Sequence, residues 1–365
     1  MPANSFGKEF VVTLFGESHG RCVGTVLDGC PAGLALCEED VQRELDRRVP
    51  KARGISSARV EPDRVQILSG VFRGRTTGAP IAMIVENRDA DSSPYEQFRE
   101  IPRPGHADYP AMVRYGGFND YRGGGRFSGR ITVGLIMAGA VAKKLLAQLG
   151  IEVLAYTLSI GNITSNLSLS REELRRSVYE SSVRCGDREA SLLMEKAVLE
   201  AAEAGDSLGG IVKAVAYGVP PGVGEPVFEC LDSELAKALF NIPAVKGVEF
   251  GLGFDAARSK GSMNNDPLTI QAGKVQFITN RAGGILGGLS TGREIAVQVA
   301  FKPTPSIRKK QRSVNLARLQ EAELELSGRH DPCVVPKAVP VVEAVVSTVL
   351  LDFLIRAGLL PKVLK

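Results

Sequence analysis

The longest apolar stretch of the chain, ITVGLIMAGAVA, spans residues 131–142 and is followed by two lysines. Twelve residues are too few to cross a bilayer, which needs about 20. This stretch therefore predicts a helix buried in the core of a folded protein. A second segment, AVPVVEAVVSTVLLDFLIRAG at 338–358, predicts a final helix that is largely apolar on one side. We expect a fold organised around buried helices, with no membrane span.

The segments on either side alternate between strand and helix patterns. Strands are predicted at KEFVVTLF, DRVQILSGV, APIAMIVEN, IEVLAYTLSI, GGIVKAVAYGV and EIAVQVAF. Further helices are predicted at EEDVQRELDRRV, at 129–149, at 187–205 with Asp187 as its N-cap, and at RSVNLARLQEAELEL. We find no internal repeat and no Pro-, Gly- or Ser-rich linker. The sequence therefore predicts a single α/β domain over residues 1–365, with long functional loops.

Charge and cysteine content narrow the possible functions. The chain has 45 Lys and Arg against 41 Asp and Glu and contains no Trp, so its net charge of +4 is too small to indicate nucleic-acid binding. Its six cysteines form no C-x-x-C motif and do not meet histidines at zinc-ligand spacing. They are interpreted as reduced, mostly buried thiols of a cytoplasmic protein without a metal site. We expect no signal peptide, because no basic segment precedes an apolar one at the N-terminus.

The chain has only three histidines, and all three lie in segments that neither helix nor strand periodicity explains. His19 (FGESHGR), His106 (RPGHADY) and His330 (GRHDPC) are each close to Gly or Pro, with an acidic residue within two positions. Loops on a rigid scaffold commonly carry chemistry, and histidine titrates where an acid or base is useful. A single such histidine is more often structural. Three together predict that at least two share a site.

Two motif matches are misleading. Residues 16–20 fit the G-x-S-x-G pattern of a serine hydrolase, but Ser18 follows the first strand, so no earlier loop can supply an oxyanion hole. His19 is the better candidate for chemistry in that segment. Residues 251–256 fit a dinucleotide fingerprint, but the segment that follows them is too broken to form the required helix.

Three other segments suit a bound anion, although each is also compatible with a solvated loop. YRGGGRFSGR at 121–130 precedes a predicted helix, where free backbone N–H groups attract anions and arginines can add contacts. RAGGILGGLSTG at 281–292 would let a flat ring or a phosphate lie against the backbone. FKPTPSI at 301–307 places Lys302 beside the short donors Thr304 and Ser306.

Taken in order, these motifs resemble the chorismate synthase family. FGESHG, RPGHAD, DYRGGGR, NRAGGILGGLSTG, FKPT and GRHDPC follow one another as in that family, and the resemblance extends over about residues 5–355. It implies an α+β sandwich particular to the family. It also implies a lyase that converts 5-enolpyruvylshikimate 3-phosphate into chorismate and phosphate by 1,4-anti elimination. This reaction is the last common step of the shikimate pathway to aromatic amino acids. The implied cofactor is reduced FMN, with no net redox change, and the implied assembly is a homotetramer.

The resemblance also implies roles for individual residues. His19 would protonate or stabilise the departing phosphate, and His106 would set the protonation of the reduced flavin. Ser18 and Asp331 would assist removal of hydrogen, with flavin N5 as the acceptor. Flavin contacts are implied for Arg126, Phe127, Ser128, Pro243, Ala244, Gly287, Lys302, Pro303, Thr304, Pro305, Ser306 and Arg329. Substrate or NADPH contacts are implied for Arg48, Arg130 and Arg53, the last one position away from a family arginine that is Gly54 here.

Other functions remain open from the residues alone. A flavin- or anion-binding protein without catalysis would use the same glycines and arginines but would not need His19 and His106. A phosphate-ester hydrolase would release phosphate without reduced flavin. The sequence does not decide whether NADPH reduces the flavin on this chain. The lack of an appended domain favours an external flavin reductase.

Overall fold

The structure is a computed structural model that describes residues 3–49, 63–88, 91–326 and 331–364. The strands in these ranges are β1 Ser5–Phe6, β2 Val11–Gly16, β3 Cys22–Asp28, β4 Val65–Ile67, β5 Val71–Phe72, β6 Arg75–Thr76, β7 Ile81–Glu86, β8 Glu152–Ile160, β9 Ile163–Thr164, β10 Gly210–Tyr217, β11 Val245–Phe250, β12 Leu268–Gln271, β13 Lys274–Phe277, β14 Ile285–Leu286, β15 Leu289–Ser290, β16 Ile295–Phe301, β17 Gln311–Asn315 and β18 Gln320–Leu324. The α-helices are α1 Glu38–Asp46, α2 Asp108–Tyr115, α3 Thr132–Gln148, α4 Arg171–Ser177, α5 Arg188–Glu203, α6 Leu231–Phe240, α7 Gly261–Asn264 and α8 Val335–Arg356.

Two five-stranded sheets carry most of the long strands. Sheet A has the order β1-β2-β3-β7-β4, and sheet B has the order β11-β16-β10-β8-β9. Each strand pairs antiparallel with its neighbours. Burial alternates along β16, where every second residue from Ile295 to Phe301 is buried. This alternation is typical of an antiparallel strand with one face on the core.

Helices α3 and α8 lie between the two sheets. Helix α3 packs on β2, β3 and β7 of sheet A, α8 packs on β8 and β10 of sheet B, and the two helices pack on each other. Their crossing is so close that a Cβ atom added at Gly139 would overlap the Cα and Cβ atoms of Ala344. The layers therefore follow the order sheet, helix, helix, sheet. This arrangement confirms the predicted α+β sandwich.

Both central helices are long and apolar enough to cross a membrane, but they are core helices in this fold. The helical segment 129–148 is 78% buried over its most apolar window, and Val335–Arg356 is 94% buried. The prediction that the last helix is apolar mainly on one side was wrong. Every residue from 338 to 354 is buried, because α8 contacts α3, α6 and sheet B together.

The predicted helix at RSVNLARLQEAELEL was also wrong, since this segment forms the hairpin of β17 and β18. The side chain of Asn315 accepts hydrogen bonds from the backbone N–H groups of Ala317 and Arg318, which closes the turn. Leu324 is buried in a small cluster that includes Phe98. These tertiary contacts override the helical propensity of the segment. Helix α5 agrees with prediction, and Asp187 caps it through hydrogen bonds from Glu189 N and Ala190 N.

Candidate active site

Ser18 and His19 lie on the turn between β2 and β3. The backbone N–H of Ser18 donates to the carbonyl oxygen of Gly125 at 3.3 Å, which ties this turn to the triple-glycine segment 123–125. Ser18 is buried, and its Oγ accepts a hydrogen bond from Ser128 Oγ at 3.1 Å. Two motifs that are more than 100 residues apart in the sequence therefore meet at one point.

The imidazole of His19 is packed between a tyrosine and the triple-glycine segment. Its Nδ1 lies 2.8 Å from Ser92 Oγ, and its ring stands edge-on to Tyr95 at 5.0 Å between centroids. A Cβ atom added at Gly123 would lie 2.5 Å from His19 Nε2 and 2.7 Å from Ser18 Oγ. Gly123 also has φ = +60°, a conformation that strains other residues. Only glycine allows the backbone to approach the ring this closely.

His106 lies against the next glycine of the same segment. A Cβ atom at Gly124 would lie 3.2 Å from His106 Nε2. His106 Nδ1 is 2.6 Å from Asp108 Oδ1. Arg103 Nη2 lies 3.0 Å from His106 Nδ1 and 3.3 Å from His106 Nε2. The structure thus places His19 and His106 against successive glycines, which agrees with the prediction that two histidines share a site.

Burial and neighbouring charges shift the pKa values of His106 and Asp108. Burial lowers the pKa of His106 below its ordinary value; Asp108 opposes this shift, and Arg103 and Lys302 add to it. Burial alone would raise the pKa of Asp108, but hydrogen bonds from Arg103 and His106 hold it well below its ordinary value. Arg103 contacts both oxygens of Asp108, at 2.7 and 2.8 Å. At neutral pH, we expect a neutral imidazole beside an intact ion pair.

A second charged cluster lies at the end of α1. Asp63 is buried and forms ion pairs with Arg130 and with Arg48, whose Nη1 is 3.6 Å from Asp63 Oδ2. Lys337, in the first turn of α8, forms an ion pair with Asp331 at 2.6 Å. Burial lowers the pKa of Lys337, and Asp331 opposes this shift while Arg48 adds to it. Among the described residues, this cluster thus brings Arg48, Arg130 and Lys337 together with the carboxylates of Asp63 and Asp331.

The segment 302–306 reaches the His106 cluster from sheet B. Lys302 Nζ donates to the carbonyl oxygen of Gly105 at 2.9 Å, and Ser306 Oγ accepts from Arg103 Nη1 at 3.2 Å. The backbone N–H of Lys302 donates to Ala244 O at 2.9 Å, which brings residues 243–244 to the same place. Burial, together with Lys246, lowers the pKa of Lys302. The Oγ1 atom of Thr304 is buried and has no hydrogen-bond partner among the described residues.

Comparisons with known proteins show the family to which the chain belongs. The family described as chorismate synthase matches residues 10–355. The chain belongs to the chorismate synthase family. It is 54% identical to the chorismate synthase of Korarchaeum cryptofilum, over 98% of this chain and 99% of the relative. It is 52% identical to that of Dehalococcoides mccartyi over the whole of both chains. A crystal structure of chorismate synthase superposes with a TM-score of 0.76 at 31% identity, covering 96% of this chain and 93% of the other.

Membership of the chorismate synthase family identifies the chain as an enzyme, a chorismate-forming lyase of the shikimate pathway. The hydrolase and the non-catalytic binder considered above are therefore not its family function. The roles of single residues are a separate matter, and the family match leaves them as predictions.

Some of the predicted site residues lie apart from the two histidines or are already engaged. Gly287 forms the turn of the β14–β15 hairpin, which precedes β16, whereas Lys302 follows β16. The seven-residue strand β16, which is about 20 Å long, lies between the two positions in the chain. The guanidinium of Arg126 donates to Leu14 O and Gly16 O and holds the end of β2. Phe127 is 40% exposed beside it. Arg53, Arg329 and His330 lie outside the described residues.

Sequence reasoning missed several residues that shape the site. Arg103 and Asp108 flank His106 within the motif RPGHAD, and this charge pattern around a histidine was a usable signal. Asp63 and Lys337 gave no such signal, because a single acid at the start of a strand segment such as DRVQ and a single lysine in an apolar helix are common features. Asn87 was also missed. Its contacts become visible only when the strands of sheet A are paired.

Proposed function

We propose that this chain converts 5-enolpyruvylshikimate 3-phosphate into chorismate and phosphate by a 1,4-anti elimination that requires reduced FMN. The observation that carries the proposal is the position of His19 and His106 against successive glycines, with Ser18 between the first glycine and Ser128. Elimination of phosphate needs a proton or positive charge at the leaving group and an acceptor for the departing hydrogen. Two differently held histidines in one site can serve these separate demands.

The residues of segment 302–306 fit the phosphate and ring of FMN. Thr304 Oγ1 is a buried hydroxyl without a partner among the described residues, and such a group is costly unless a ligand completes it. Lys302 supplies a partly buried positive charge, and Ser306 a hydroxyl already oriented by Arg103. The predicted flavin contacts at Pro303, Pro305, Pro243 and Ala244 belong to the same neighbourhood. Bound reduced FMN would supply the electron-rich ring that the elimination requires, without net oxidation or reduction.

His19 is proposed to hold the proton that the departing phosphate takes. Its Nδ1 is engaged by Ser92, which leaves Nε2 on the side of Gly123 and Ser18. Ser18 and Asp331 are proposed to assist removal of the hydrogen. His106 is proposed to lie near the flavin ring and to set the protonation of its reduced form, and its lowered pKa would keep the imidazole neutral at neutral pH.

The substrate carries two carboxylates and a phosphate, which calls for several cations. Arg48, Arg130 and Lys337 bring three positively charged side chains to the cluster at the end of α1, and their field would attract an anionic ligand. Arg130 is 6% exposed and also donates to Asn87 Oδ1, so its contribution would be mainly through the field it creates. Arg53 and Arg329 stay predictions as further anion contacts.

The remaining features are proposed on family grounds. They are a single domain over residues 1–365, a cytoplasmic location, a homotetramer, and reduction of FMN by an external flavin reductase rather than by NADPH on this chain. Exposed apolar side chains on the hairpin of β12 and β13, including Leu268, Ile270 and Val275, support a subunit interface. Gly287, in the turn of the β14–β15 hairpin, stays a predicted flavin contact.

The test is anaerobic turnover of 5-enolpyruvylshikimate 3-phosphate with FMN that is either chemically reduced or left oxidised. We expect one phosphate per chorismate, and only with reduced flavin. Phosphate release that ignores the state of the flavin would contradict the proposal and support a phosphate-ester hydrolase. Flavin binding without turnover would support a binding protein. Repeating the assay with NADPH and oxidised FMN tests the need for an external reductase.

A further inference from the structure

Asn87 lies between the turn that carries Ser18 and His19 and the charged cluster at the end of α1. It directly follows β7, and its backbone N–H donates to Arg21 O at 3.1 Å, extending the pairing of β7 with β3. The residue is therefore held on a rigid strand end, immediately beside the turn that carries Ser18 and His19.

The carboxamide of Asn87 forms hydrogen bonds with both ends of that turn. Its Nδ2 donates to Glu17 O at 3.0 Å and to Gly20 O at 2.8 Å, so both amide hydrogens are used. These two carbonyls bracket Ser18 and His19 in the sequence. The turn itself has one internal hydrogen bond, from Gly20 N to Glu17 O. The side chain of Asn87 thus adds two of the three hydrogen bonds on these carbonyls.

The oxygen atom of the carboxamide contacts the charged cluster at the end of α1. Asn87 Oδ1 accepts from Arg130 Nε at 2.9 Å. Arginine can only donate and the turn carbonyls can only accept, so the orientation of the amide is determined by its partners. Arg130 in turn pairs with Asp63, which also pairs with Arg48. One side chain therefore joins the position of His19 to that of the arginines.

We infer that Asn87 is a positioning residue that sets His19 relative to the substrate-binding arginines, an inference that rests on the proposed function. It touches neither the substrate nor the flavin in this role. Displacement of a reacting group by about 1 Å can cost on the order of 100-fold in rate. Loss of the turn hydrogen bonds should therefore lower kcat strongly, with a smaller change in KM.

Two substitutions separate the two ends of the amide. Asn87→Asp keeps an acceptor for Arg130 but presents oxygen to both turn carbonyls, whereas Asn87→Ala removes every side-chain contact. We expect kcat to fall by about 100-fold in both variants. If Asn87 only supported Arg130, Asn87→Asp would turn over at the wild-type rate. That outcome would overturn the inference.

A second measurement does not depend on turnover. The chain has three histidines, so histidine-labelled protein without flavin or substrate gives few imidazole signals by NMR, and His19→Ala identifies that of His19. We expect the His19 signal to shift in Asn87→Asp, while the signal of His106, held by Arg103 and Asp108, stays in place. An unshifted His19 signal in a folded variant would also overturn the inference.

Asn315→Ala is the matched control. Its side chain also holds a turn through two backbone hydrogen bonds, at 3.0 and 2.9 Å, on a hairpin that carries no proposed site residue. We expect wild-type kcat and unshifted imidazole signals. If wild-type protein itself formed no chorismate, the proposed function would fail, and the NMR comparison would still decide whether Asn87 positions His19.

Discussion

His19 and His106 face the same glycine segment, but the protein holds them in different ways. The polar partners of His106, Arg103 and Asp108, lie within six residues of the chain. The contacts of His19 come from Ser92, Tyr95 and Gly123, which belong to segments far apart in the sequence. A local motif thus supplies the charged partners of one histidine, while its burial and Lys302 come from the rest of the fold. The position of the other depends on how sheet A, the segment 92–99 and the triple-glycine segment pack together.

The largest effects should come from removing either imidazole. His19→Ala and His106→Ala should each lower kcat by about 10²- to 10⁴-fold, the usual contribution of an acid–base group. Neither should abolish folding, because the surrounding contacts of Ser18 and the Arg103–Asp108 pair remain. Anaerobic turnover with reduced FMN and thermal unfolding check both points. Wild-type rates in both variants would end the assignment of this site.

Asp108→Asn should remove the charged partner of Arg103 and His106 without changing the contacts of His19. It leaves the buried Arg103 without its charged partner, which should lower the free energy of unfolding by about 3–5 kcal/mol. Urea denaturation measures the loss. Asp255→Asn is the control, because its ion pair with Arg258 is exposed and should change stability by about 1 kcal/mol or less. An equal decrease in the free energy of unfolding of the two variants would show that the buried Arg103–Asp108 pair contributes no more to stability than an exposed pair.

The same substitution at neighbouring glycines should distinguish the two histidines. At Gly123, an added methyl group would overlap the His19 ring, whereas at Gly124 it would come only within 3.2 Å of His106 Nε2. We expect Gly123→Ala to lower kcat by about 100-fold or more, and Gly124→Ala to have a clearly smaller effect. Both positions have positive φ, so backbone strain is common to the pair. A larger effect at Gly124 would contradict the packing described for His19.

The smallest effect concerns pH. Burial lowers the folded-state pKa of His106 below its ordinary value of 6.5, so the unfolded chain binds this proton more tightly than the folded chain does. Stability from this group is therefore complete above pH 6.5 and is lost as pH falls below it. As pH falls from 7.5 to 5.5, we expect the free energy of unfolding of wild type to decrease relative to that of His106→Ala. A constant difference would mean that His106 titrates normally.

The sequence predicted the parts of the site that are local or that form ordered motifs. His106 lies in RPGHAD and His19 in FGESHG, and both motifs mark loops at the ends of regular elements. The central helices followed from their apolar runs, since apolar side chains of that density must be buried. The N-cap of α5 followed from Asp187 alone, because capping depends only on neighbouring backbone groups.

What could not be predicted depends on pairing between distant segments. The hairpin of β17 and β18 has a helical pattern of residues, but the burial of Leu324 against Phe98 selects strands. The roles of Asn87 and Asp63 require the registers of sheet A and the position of Arg130. Gly287 and Lys302 were both predicted as flavin contacts from the family resemblance, and β16 lies between them in the chain.

The close crossing of α3 and α8 has a mechanical consequence. Gly139 lies roughly 10 Å along α3 from Thr132, and Ala344 lies roughly 14 Å along α8 from Val335. Ser128 precedes the start of α3 and Asp331 precedes the start of α8, so the crossing links two segments that carry predicted site residues. A glycine-to-alanine substitution normally stabilises a helix. At Gly139, however, the added methyl group would push α3 and α8 apart at their crossing and displace the starts of both helices. We therefore expect Gly139→Ala to destabilise the protein, although alanine is more favourable than glycine at most helix positions.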